Sequence, residues 1–317
     1  MRTAKELAAV CEQLSVPFIF RAGVWKPRTR PHTFQGVGEE GLAWLEEVKR
    51  TYGVPVATEV ATPEHVAAAL KAGIDYLWIG ARTSANPIAV QAIADALTAN
   101  SPKPQAVLIK NPVNADAALW IGNIERLEKT GIPVMAVHRG CNHQPCWKMA
   151  HTVRTARPDI PMLLDPSHMS GDAAQVPALM NKVTELGLDG TMIEVHCDPE
   201  HALSDAKQQI KPEELGKLVQ LEKLEQLVQL DPLELNWLRA EIDELDETLW
   251  ATIAARMDVS RRIGEWKKAQ GIAPLQPERV KVISEKLRVK SEELGIEEAF
   301  MLRMWELIHE ESLKQQK

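Results

Sequence analysis

The first 225 residues alternate between short apolar runs rich in β-branched side chains and longer stretches with apolar residues every three or four positions. The short runs predict buried strands and the longer stretches predict amphipathic helices. Such alternation indicates a parallel sheet with crossover helices, and a near-constant spacing favours a (β/α)8 barrel of the TIM type over an open sheet. The predicted strands are residues 17–24, 55–60, 76–80, 105–109, 133–138, 161–164 and 191–195.

The number of predicted strands is one short of a closed barrel. A barrel of this type has eight strands, and the chain opens on a predicted helix, over residues 3–14, where a strand would be expected. Either one strand lies upstream of Met1 or the architecture is not a standard barrel. We favour the first explanation, and therefore expect the first barrel strand to precede Met1.

The last part of the chain has only helical patterns. Residues 212–230 predict a helix that runs into a linker, and Asp231 then supplies a new N-cap, with Pro232 and Glu234 in the first turn. Nothing interrupts this helix before Gly271, so its expected length is ~58 Å at 1.5 Å per residue. Two more helices are predicted from Gln276 and from about residue 297. We therefore predict a barrel domain over 1–225 and an all-α three-helix domain over 231–317.

One face of the long helix mixes leucines with cations. Leu238, Leu245 and Leu249 share this face with Arg256 and Lys267. Cations on an apolar stripe are costly unless an anion meets them, so the pattern favours an anion site. The alternative is a coiled-coil dimerisation domain with incidental charges. In both cases the helix is too long for one small domain to bury and needs a partner helix.

Charged side chains recur at the carboxyl ends of the predicted strands. Because barrel enzymes build their sites at this end, we expect these side chains to converge on one mouth. Five cations among them suggest a ligand with several negative charges. The strand ends carry, in chain order, Arg21 and Lys26, Glu59, Arg82, Lys110, His138 and Arg139, Asp165 and His168, and Glu194 and His196.

The segment 18–34 extends this cationic character into a loop. Lys26, Arg28 and Arg30 alternate with Pro27 and Pro31, so the charges lie on a stiff backbone that leaves a strand end. A rigid cationic loop suits phosphate or carboxylate groups. A basic surface turn is the alternative.

A second group combines His168, Glu194 and Asp205. An imidazole with two carboxylates suits a divalent metal ion such as Mn, Fe, Co or Zn. The three residue types are common, so by themselves they indicate such a site only weakly.

The composition limits the possible partners. A net charge of -7 argues against a nucleic-acid partner, so the basic clusters should serve small anions. No apolar run approaches the ~20 residues of a membrane span, and the first residues lack a signal-peptide pattern. The four cysteines show no disulfide spacing, which favours a cytoplasmic location.

Six motifs together resemble a known family, the 3-deoxy-D-arabino-heptulosonate 7-phosphate (DAHP) synthases of the short bacterial class. They are KPRTRP at 26–31, IGART at 79–83, LIKNP at 108–112, HRGC at 138–141, DPSH at 165–168, and IEVH at 193–196 followed by Ser204-Asp205. The resemblance covers residues 1 to about 220. It implies condensation of phosphoenolpyruvate with erythrose 4-phosphate. A sister family that makes an octulosonate has Ala-Asn in place of Pro27-Arg28, which argues against that product here.

The resemblance also implies roles for individual residues. Arg28 and Thr29 would hold the sugar phosphate, and Glu59 would lie near the attacking water. Phosphoenolpyruvate would be held by Arg21, Lys26, Arg82, Lys110 and Arg139. The metal ligands would be His168, Glu194 and Asp205. The family's fourth ligand is a Cys in a Gly-Pro-Cys-Ser motif on the first barrel strand, and this motif is absent from the chain.

Residues 231–317 resemble the all-helical chorismate mutases. The pattern consists of Leu238-Arg239, Ala255-Arg256, Gly264 with Lys267, Pro277 with Arg279, and Ser312 with Gln316. The resemblance implies that Arg239 and Arg256 grip two carboxylates, that Lys267 and Gln316 contact the ether oxygen, and that Arg279 and Ser312 complete the pocket. Val280 stands where the family usually has Glu, and Gln276 where Asp is common.

Together the two resemblances imply a bifunctional enzyme of aromatic amino-acid biosynthesis. It would both form DAHP and rearrange chorismate to prephenate. The expected assembly is a homodimer through the mutase helices, with prephenate as a possible inhibitor of the barrel. The alternative is a working mutase that carries a catalytically silent regulatory or scaffold barrel.

Overall fold

The computed structural model describes residues 1–28, 32–225 and 232–316. The predicted site residue Thr29, the predicted N-cap Asp231 and the predicted linker after residue 225 therefore lie outside the described residues. The chain forms two compact units, Met1–Glu241 and Ile242–Lys317. No helix among the described residues combines the length and apolar character needed to cross a membrane.

The first unit is built on one sheet of seven parallel strands, which confirms the TIM-like α/β prediction. Each strand pairs with the next in the chain, so the order in the sheet is the order in the sequence. The strands are β1 (Phe20–Arg21), β2 (Val56–Val60), β3 (Tyr76–Ile79), β4 (Ala106–Lys110), β5 (Val134–His138), β6 (Met162–Leu164) and β7 (Gly190–Thr191). Parallel strands in sequential order place all seven carboxyl ends at one edge of the sheet.

Helices connect these strands and cover the outside of the sheet. They are α1 (Arg2–Leu14), α2 (Glu40–Tyr52), α3 (Pro63–Lys71), α4 (Ala81–Ser84), α5 (Pro87–Ala99), α6 (Ala117–Glu128), α7 (Trp147–Ala156), α8 (Pro166–Ser170), α9 (Val176–Glu185) and α10 (Pro212–Glu225). Several begin where the sequence supplies a cap: the side chains of Thr62, Asn86 and Asp116 each accept a hydrogen bond from the first turn. Short 3-10 turns lie at Ala173–Gln175, Pro199–His201 and Ala206–Gln208.

The barrel core lies between the strands and these helices. Strand residues such as Val56, Leu77 and Ile109 are fully buried, together with Trp120 and Ile124 of α6. Strands covered on both faces read as continuous apolar runs, which explains why the sequence pattern located them. Strand β7 ends at Thr191, earlier than predicted, and Val195 makes only an isolated bridge to Ile210.

The long helix α11 (Leu233–Ala269) is continuous over 37 residues, as the sequence predicts. Its first turns belong to the first unit, whose core includes Trp237 and Ala240. Trp237 stacks on His151 of α7 with 5.3 Å between ring centroids, and meets Trp147 edge-on at 6.3 Å. The His151 ring nitrogens approach Glu241 at 2.6 Å and Glu234 at 3.3 Å. This segment of α11 is therefore anchored to the barrel.

The second unit contains the rest of α11 with α12 (Pro277–Leu294) and α13 (Glu298–Gln315), and thus confirms the three-helix prediction. Gly264 lets α11 and α13 approach closely, since a Cβ built there would lie 2.6 Å from Gln316 Cα. Met257 and Met301 are buried within the unit. Leu245, Leu249 and other apolar side chains of α11 are exposed.

Candidate functional site

The basic loop after β1 contacts Asp205, an acidic residue near the end of the barrel domain. Arg28 donates two hydrogen bonds to the Asp205 carboxylate, at 3.1 and 2.9 Å. Lys26 donates to Ser204 Oγ at 2.6 Å and to Asp205 at 3.2 Å. Burial alone would raise the pKa of Asp205, but the Arg28 hydrogen bonds and the Lys26 charge hold it well below its usual range. Hydrogen bonds and charge thus hold Lys26 and Arg28 to Asp205 and Ser204.

A buried ion pair lies deeper at the same edge of the sheet. Lys110, at the end of β4, donates to Asp165 at 2.6 Å, and both side chains are almost inaccessible. Asp165 follows β6 and caps α8 by accepting from the His168 backbone N–H at 3.0 Å. Desolvation opposes the Asp165 charge, but His168 and Lys110 hold its pKa well below the usual value. The Lys110 amine is therefore fixed at the base of the mouth by a buried ion pair.

His168 and Glu194 lie next to this pair. His168 Nε2 is 3.7 Å from Glu194 Oε1, and Arg21 lies 3.4 Å from the same oxygen. The Arg21 guanidinium also lies over the Trp78 ring, 5.4 Å from its centroid. Arg139 donates from its side chain to the His168 carbonyl oxygen at 3.3 Å. The predicted residues of five strand ends thus converge on one place.

Glu59 faces the same mouth from β2. Burial raises its pKa, while the positive charges of Lys110, His168 and Lys26 act in the opposite direction. Gly80 leaves room for this carboxylate, since a Cβ there would lie 2.1 Å from Glu59 Oε1. A carboxyl whose pKa is raised by burial is a stronger proton acceptor than an exposed one.

Arg82 and His196 lie less centrally. Arg82 donates to the Pro27 carbonyl oxygen at 3.2 Å, so it contacts the backbone of the basic loop. His196 Nδ1 lies 2.7 Å from the Asp198 carbonyl oxygen within its own loop.

The three predicted metal ligands are only partly brought together. His168 and Glu194 are neighbours, but the Asp205 carboxylate is held by Arg28 and Lys26. Across the described residues, no group of three or more His, Cys, Asp and Glu side chains is arranged to hold a metal ion. In this arrangement Asp205 is therefore not placed beside His168 and Glu194.

Two positioning residues were not predicted from the sequence. Asn111 accepts from the Arg139 backbone N–H at 2.7 Å and donates to the Gly140 carbonyl oxygen at 3.0 Å, so it fixes the turn that carries Arg139. Gln208 donates to Glu194 at 2.8 Å. The signal for Asn111 was its position directly after Lys110 at a strand end. Gln208 had no comparable signal.

The helical unit contains a second polar cluster. Arg256 of α11 donates to Ser312 Oγ and to the Ile308 carbonyl oxygen of α13. Lys267 donates to Gln316 Oε1 at 3.2 Å and to the Pro274 carbonyl oxygen at 2.6 Å. Four of the predicted mutase residues therefore meet between two helices.

The other two predicted mutase residues lie elsewhere. Arg279 is exposed at the start of α12, and Arg239 is exposed on the part of α11 that belongs to the first unit. Beside Lys267 a surface depression of about 330 Å³ opens, lined by Val259, Arg262, Ile263, Trp266, Lys267 and Gln276. Lys267 thus borders an open, largely apolar surface.

Fold and site together define the class: a TIM-like barrel with cationic side chains at its mouth, joined to a helical domain with a cationic cluster. Residues 1–229 match the DAHP synthetase I family, and the chain belongs to this family. Residues 238–317 match the family described as chorismate mutase type II, so the chain carries that domain as well.

Individual relatives agree with this assignment. The chain is 31% identical over 222 residues to a phospho-2-dehydro-3-deoxyheptonate aldolase of Thermotoga maritima, covering 68% of this chain and 63% of the relative. It is 30% identical to a 2-dehydro-3-deoxyphosphooctonate aldolase of Parasynechococcus marenigrum, covering 68% and 80%. The crystal structure of a Thermotoga maritima DAHP synthase superposes with a TM-score of 0.60 at 28% identity, over 70% of this chain and 64% of that one. The chain thus spans less than two thirds of its Thermotoga relative.

Proposed function

We propose that the barrel condenses phosphoenolpyruvate with erythrose 4-phosphate to give DAHP. The observation that carries this proposal is the convergence of Arg21, Lys26, Lys110 and Arg139 at one edge of the sheet. Phosphoenolpyruvate offers a phosphate and a carboxylate, both of which suit paired cationic donors. Arg82 would complete this group from the rim.

Most of these cations are paired with carboxylates of the protein. Lys110 is paired with Asp165, and Arg21 with Glu194. The charges are therefore desolvated and oriented before a substrate arrives, which lowers the cost of binding an anion. Glu59 would exchange a proton with an attacking water, and the rise in its pKa on burial supports this role.

The sugar phosphate would bind at the basic loop through Arg28 and Thr29. Arg28 is held by Asp205 and by the Phe34 carbonyl oxygen, at 3.1 Å from the latter. One of the relatives is named for an octulosonate product, which has one carbon more. We propose the heptulosonate because Pro27-Arg28 differs from the Ala-Asn pair of that sister family. A rate comparison between a four-carbon and a five-carbon sugar phosphate tests this choice, and preference for the five-carbon sugar would refute it.

The metal dependence predicted from the family stays a proposal. His168 and Glu194 would be ligands, and Asp205 would join them only after leaving Arg28 and Lys26. A bound Mn, Fe, Co or Zn ion would act as a Lewis acid on the aldehyde. Titration of the full chain with Mn²⁺ in a calorimeter tests this directly. His168→Ala should abolish the binding, whereas His201→Ala, at an exposed site, should leave it intact.

We further propose that the helical unit converts chorismate to prephenate. This pericyclic reaction requires no nucleophile, so catalysis consists of holding a compact conformer and stabilising negative charge on the ether oxygen. Lys267 and Gln316 are in contact with each other and suit that oxygen, and Arg256 beside Ser312 suits a carboxylate. Arg279 and Arg239 would be the remaining cationic contacts.

The mutase site would be shared between two copies of the chain. Arg239 and Arg256 are 17 residues apart on the continuous helix α11, which corresponds to ~25 Å of axial rise. One chorismate cannot reach both from the same helix, so Arg239 should come from a second copy. The exposed apolar residues of α11, among them Leu245 at 67% and Leu249 at 40% exposure, would be covered in the same homodimer.

Mixing two inactive variants tests the shared site. Arg239→Ala and Lys267→Ala chains should each lose mutase activity, and their mixture should regain part of it through hybrid sites. Absence of recovery, with subunit exchange verified, would contradict the shared site.

We propose that prephenate inhibits condensation by the barrel, since a product formed later in the same biosynthesis would signal that enough precursor has been made. Such coupling is typically about 1–3 kcal/mol. The test is the synthase rate against prephenate, with Arg256→Ala as the control that should not respond. An unchanged rate while prephenate is bound would refute the coupling.

A second candidate is a working mutase with a silent barrel. The specific observation in its favour is that Asp205 is held by two cations, so the three predicted ligands do not meet. Two assays separate the candidates: phosphate release from phosphoenolpyruvate, and prephenate formation from chorismate. Both are measured on the purified full chain and, because a cytoplasmic location is proposed, in the cytoplasmic fraction of the producing cells. Synthase activity that falls in Lys110→Met and not in Lys103→Met would support the first.

A further inference from the structure

A row of polar side chains follows one face of α13. His309, Ser312 and Gln316 are separated by three and four residues, a spacing that places them on the same side of a helix. Ser312 accepts from Arg256, and Gln316 accepts from Lys267. Two members of the row therefore contact the cations of α11, and His309 begins the row one turn earlier.

The imidazole of His309 has a fixed orientation. It stacks on Trp305 with 4.8 Å between ring centroids and 11° between the ring planes. Stacking occupies one face of the ring and makes no use of its nitrogen atoms. Nε2 is buried and has no hydrogen-bond partner among the described residues. Buried polar atoms are normally hydrogen-bonded, so this nitrogen calls for a partner that arrives from outside the protein.

The charge state of His309 suits a donor. Burial lowers its pKa, and the positive charges of Arg256 and Lys267 lower it further. The ring is therefore neutral near pH 7 and carries one N–H and one lone pair. A neutral imidazole close to two cations can donate a hydrogen bond to an oxygen of the anion that those cations attract.

We propose that His309 is a further substrate-contacting residue of the helical unit, and that its imidazole donates a hydrogen bond to an oxygen of the anion gripped by Arg256 and Lys267. This inference rests on the mutase function proposed above. The substrate would then be contacted by α11, by the C-terminal turn of α13, and by His309, whose ring is oriented by Trp305.

The arrangement has a consequence for pH dependence. The charged groups that act on the His309 ring are Arg256 and Lys267, both of α11. An anionic ligand offsets their charges, so the pKa of His309 rises on binding. Between the two pKa values the protein then takes up a proton with the ligand, and binding becomes tighter as the pH falls through that interval.

The experiment uses the full chain and three variants. His309→Leu removes the donor, His309→Gln retains an N–H without titrating, and Glu310→Gln changes an exposed neighbour as the matched control. At pH 7, His309→Leu should lower kcat/KM for chorismate about tenfold, the equivalent of one hydrogen bond to a charged ligand, and His309→Gln should lose less. The pH dependence below 6.5 should disappear in both His309 variants and persist in Glu310→Gln.

Two results would overturn the proposal. Wild-type kinetics in both His309 variants would show that the ring does not touch the substrate. Equal losses in both variants with an unchanged pH profile would show that it only packs against Trp305. Failure of the unmutated chain to rearrange chorismate would instead refute the mutase function. In that event proton uptake on prephenate binding, measured in two buffers by calorimetry, decides the matter: equal uptake by the unmutated and His309→Gln chains refutes the contact.

Discussion

Replacement of Trp237 tests whether the first turns of α11 are part of the barrel. The side chain is 4% exposed and belongs to the barrel's core cluster. It stacks on His151 and meets Trp147, both of α7. Trp237→Ala removes these contacts and leaves a cavity, because the neighbouring aromatic rings can fill the space only in part.

The expected loss follows from this burial. Substitution of a buried Trp by Ala costs about 3–5 kcal/mol of unfolding free energy through lost transfer energy and the cavity. The stacked ring pair with His151 contributes about 0.5–1.5 kcal/mol within that range. Trp44→Ala is the matched control, since Trp44 lies on α2 of the same unit with 55% exposure, and it should cost less than about 1 kcal/mol.

Hydrogen exchange of the full chain, followed by mass spectrometry, is the suitable assay because a two-unit chain need not unfold in one step. Peptides that cover β5 and α7 should lose protection in Trp237→Ala and keep it in Trp44→Ala. If the two variants protect β5 and α7 equally well, the first turns of α11 do not stabilise the barrel and the reasoning fails.

Other predictions concern a buried histidine and a close helix contact. Burial lowers the pKa of His138 to about 4, below the unfolded value of about 6.5, so its contribution is complete above pH 6.5 and is lost as the pH falls towards 4. Between pH 7 and 5 the free energy of urea unfolding should therefore fall by about 2 kcal/mol more in the unmutated chain than in His138→Phe, and parallel pH profiles would contradict this. Gly264→Ala should lower mutase activity and destabilise the helical unit by about 1–3 kcal/mol, because its Cβ would collide with the Gln316 backbone. Gly122→Ala, whose Cβ would meet only the end of the Arg126 side chain at 3.2 Å, is the control, and equal thermal shifts in the two would argue against the collision.

The strands were predictable because a parallel sheet covered on both faces produces short apolar runs, as in β3 and β4. The convergence of the strand-end cations followed from the topology alone. Their partners did not, because pairing between Arg28 and Asp205 joins residues 177 positions apart, and no local pattern encodes it. The anchoring of Trp237 on α7 was missed for the same reason: a helix wheel shows which side is apolar but not which surface covers it.

His309 shows the opposite situation. Its spacing from Ser312 and Gln316 was visible in the sequence, but a lone histidine on a helix gives no sign of its partner. Only the stacked Trp305 ring and the buried Nε2 atom distinguish it from a surface residue.

The position of Trp237 and Ala240 in the barrel core also bears on how such a fusion can be recombined. A splice point ahead of α11 would deprive the donor barrel of two core side chains, and would give the recipient a helix whose first turns have an apolar side evolved for another surface. A splice point after Glu241 would keep each core whole, but Arg239 would stay behind with the barrel. Neither cut yields two self-sufficient modules, so exchange of one partner for another requires compensating changes in these turns of α11.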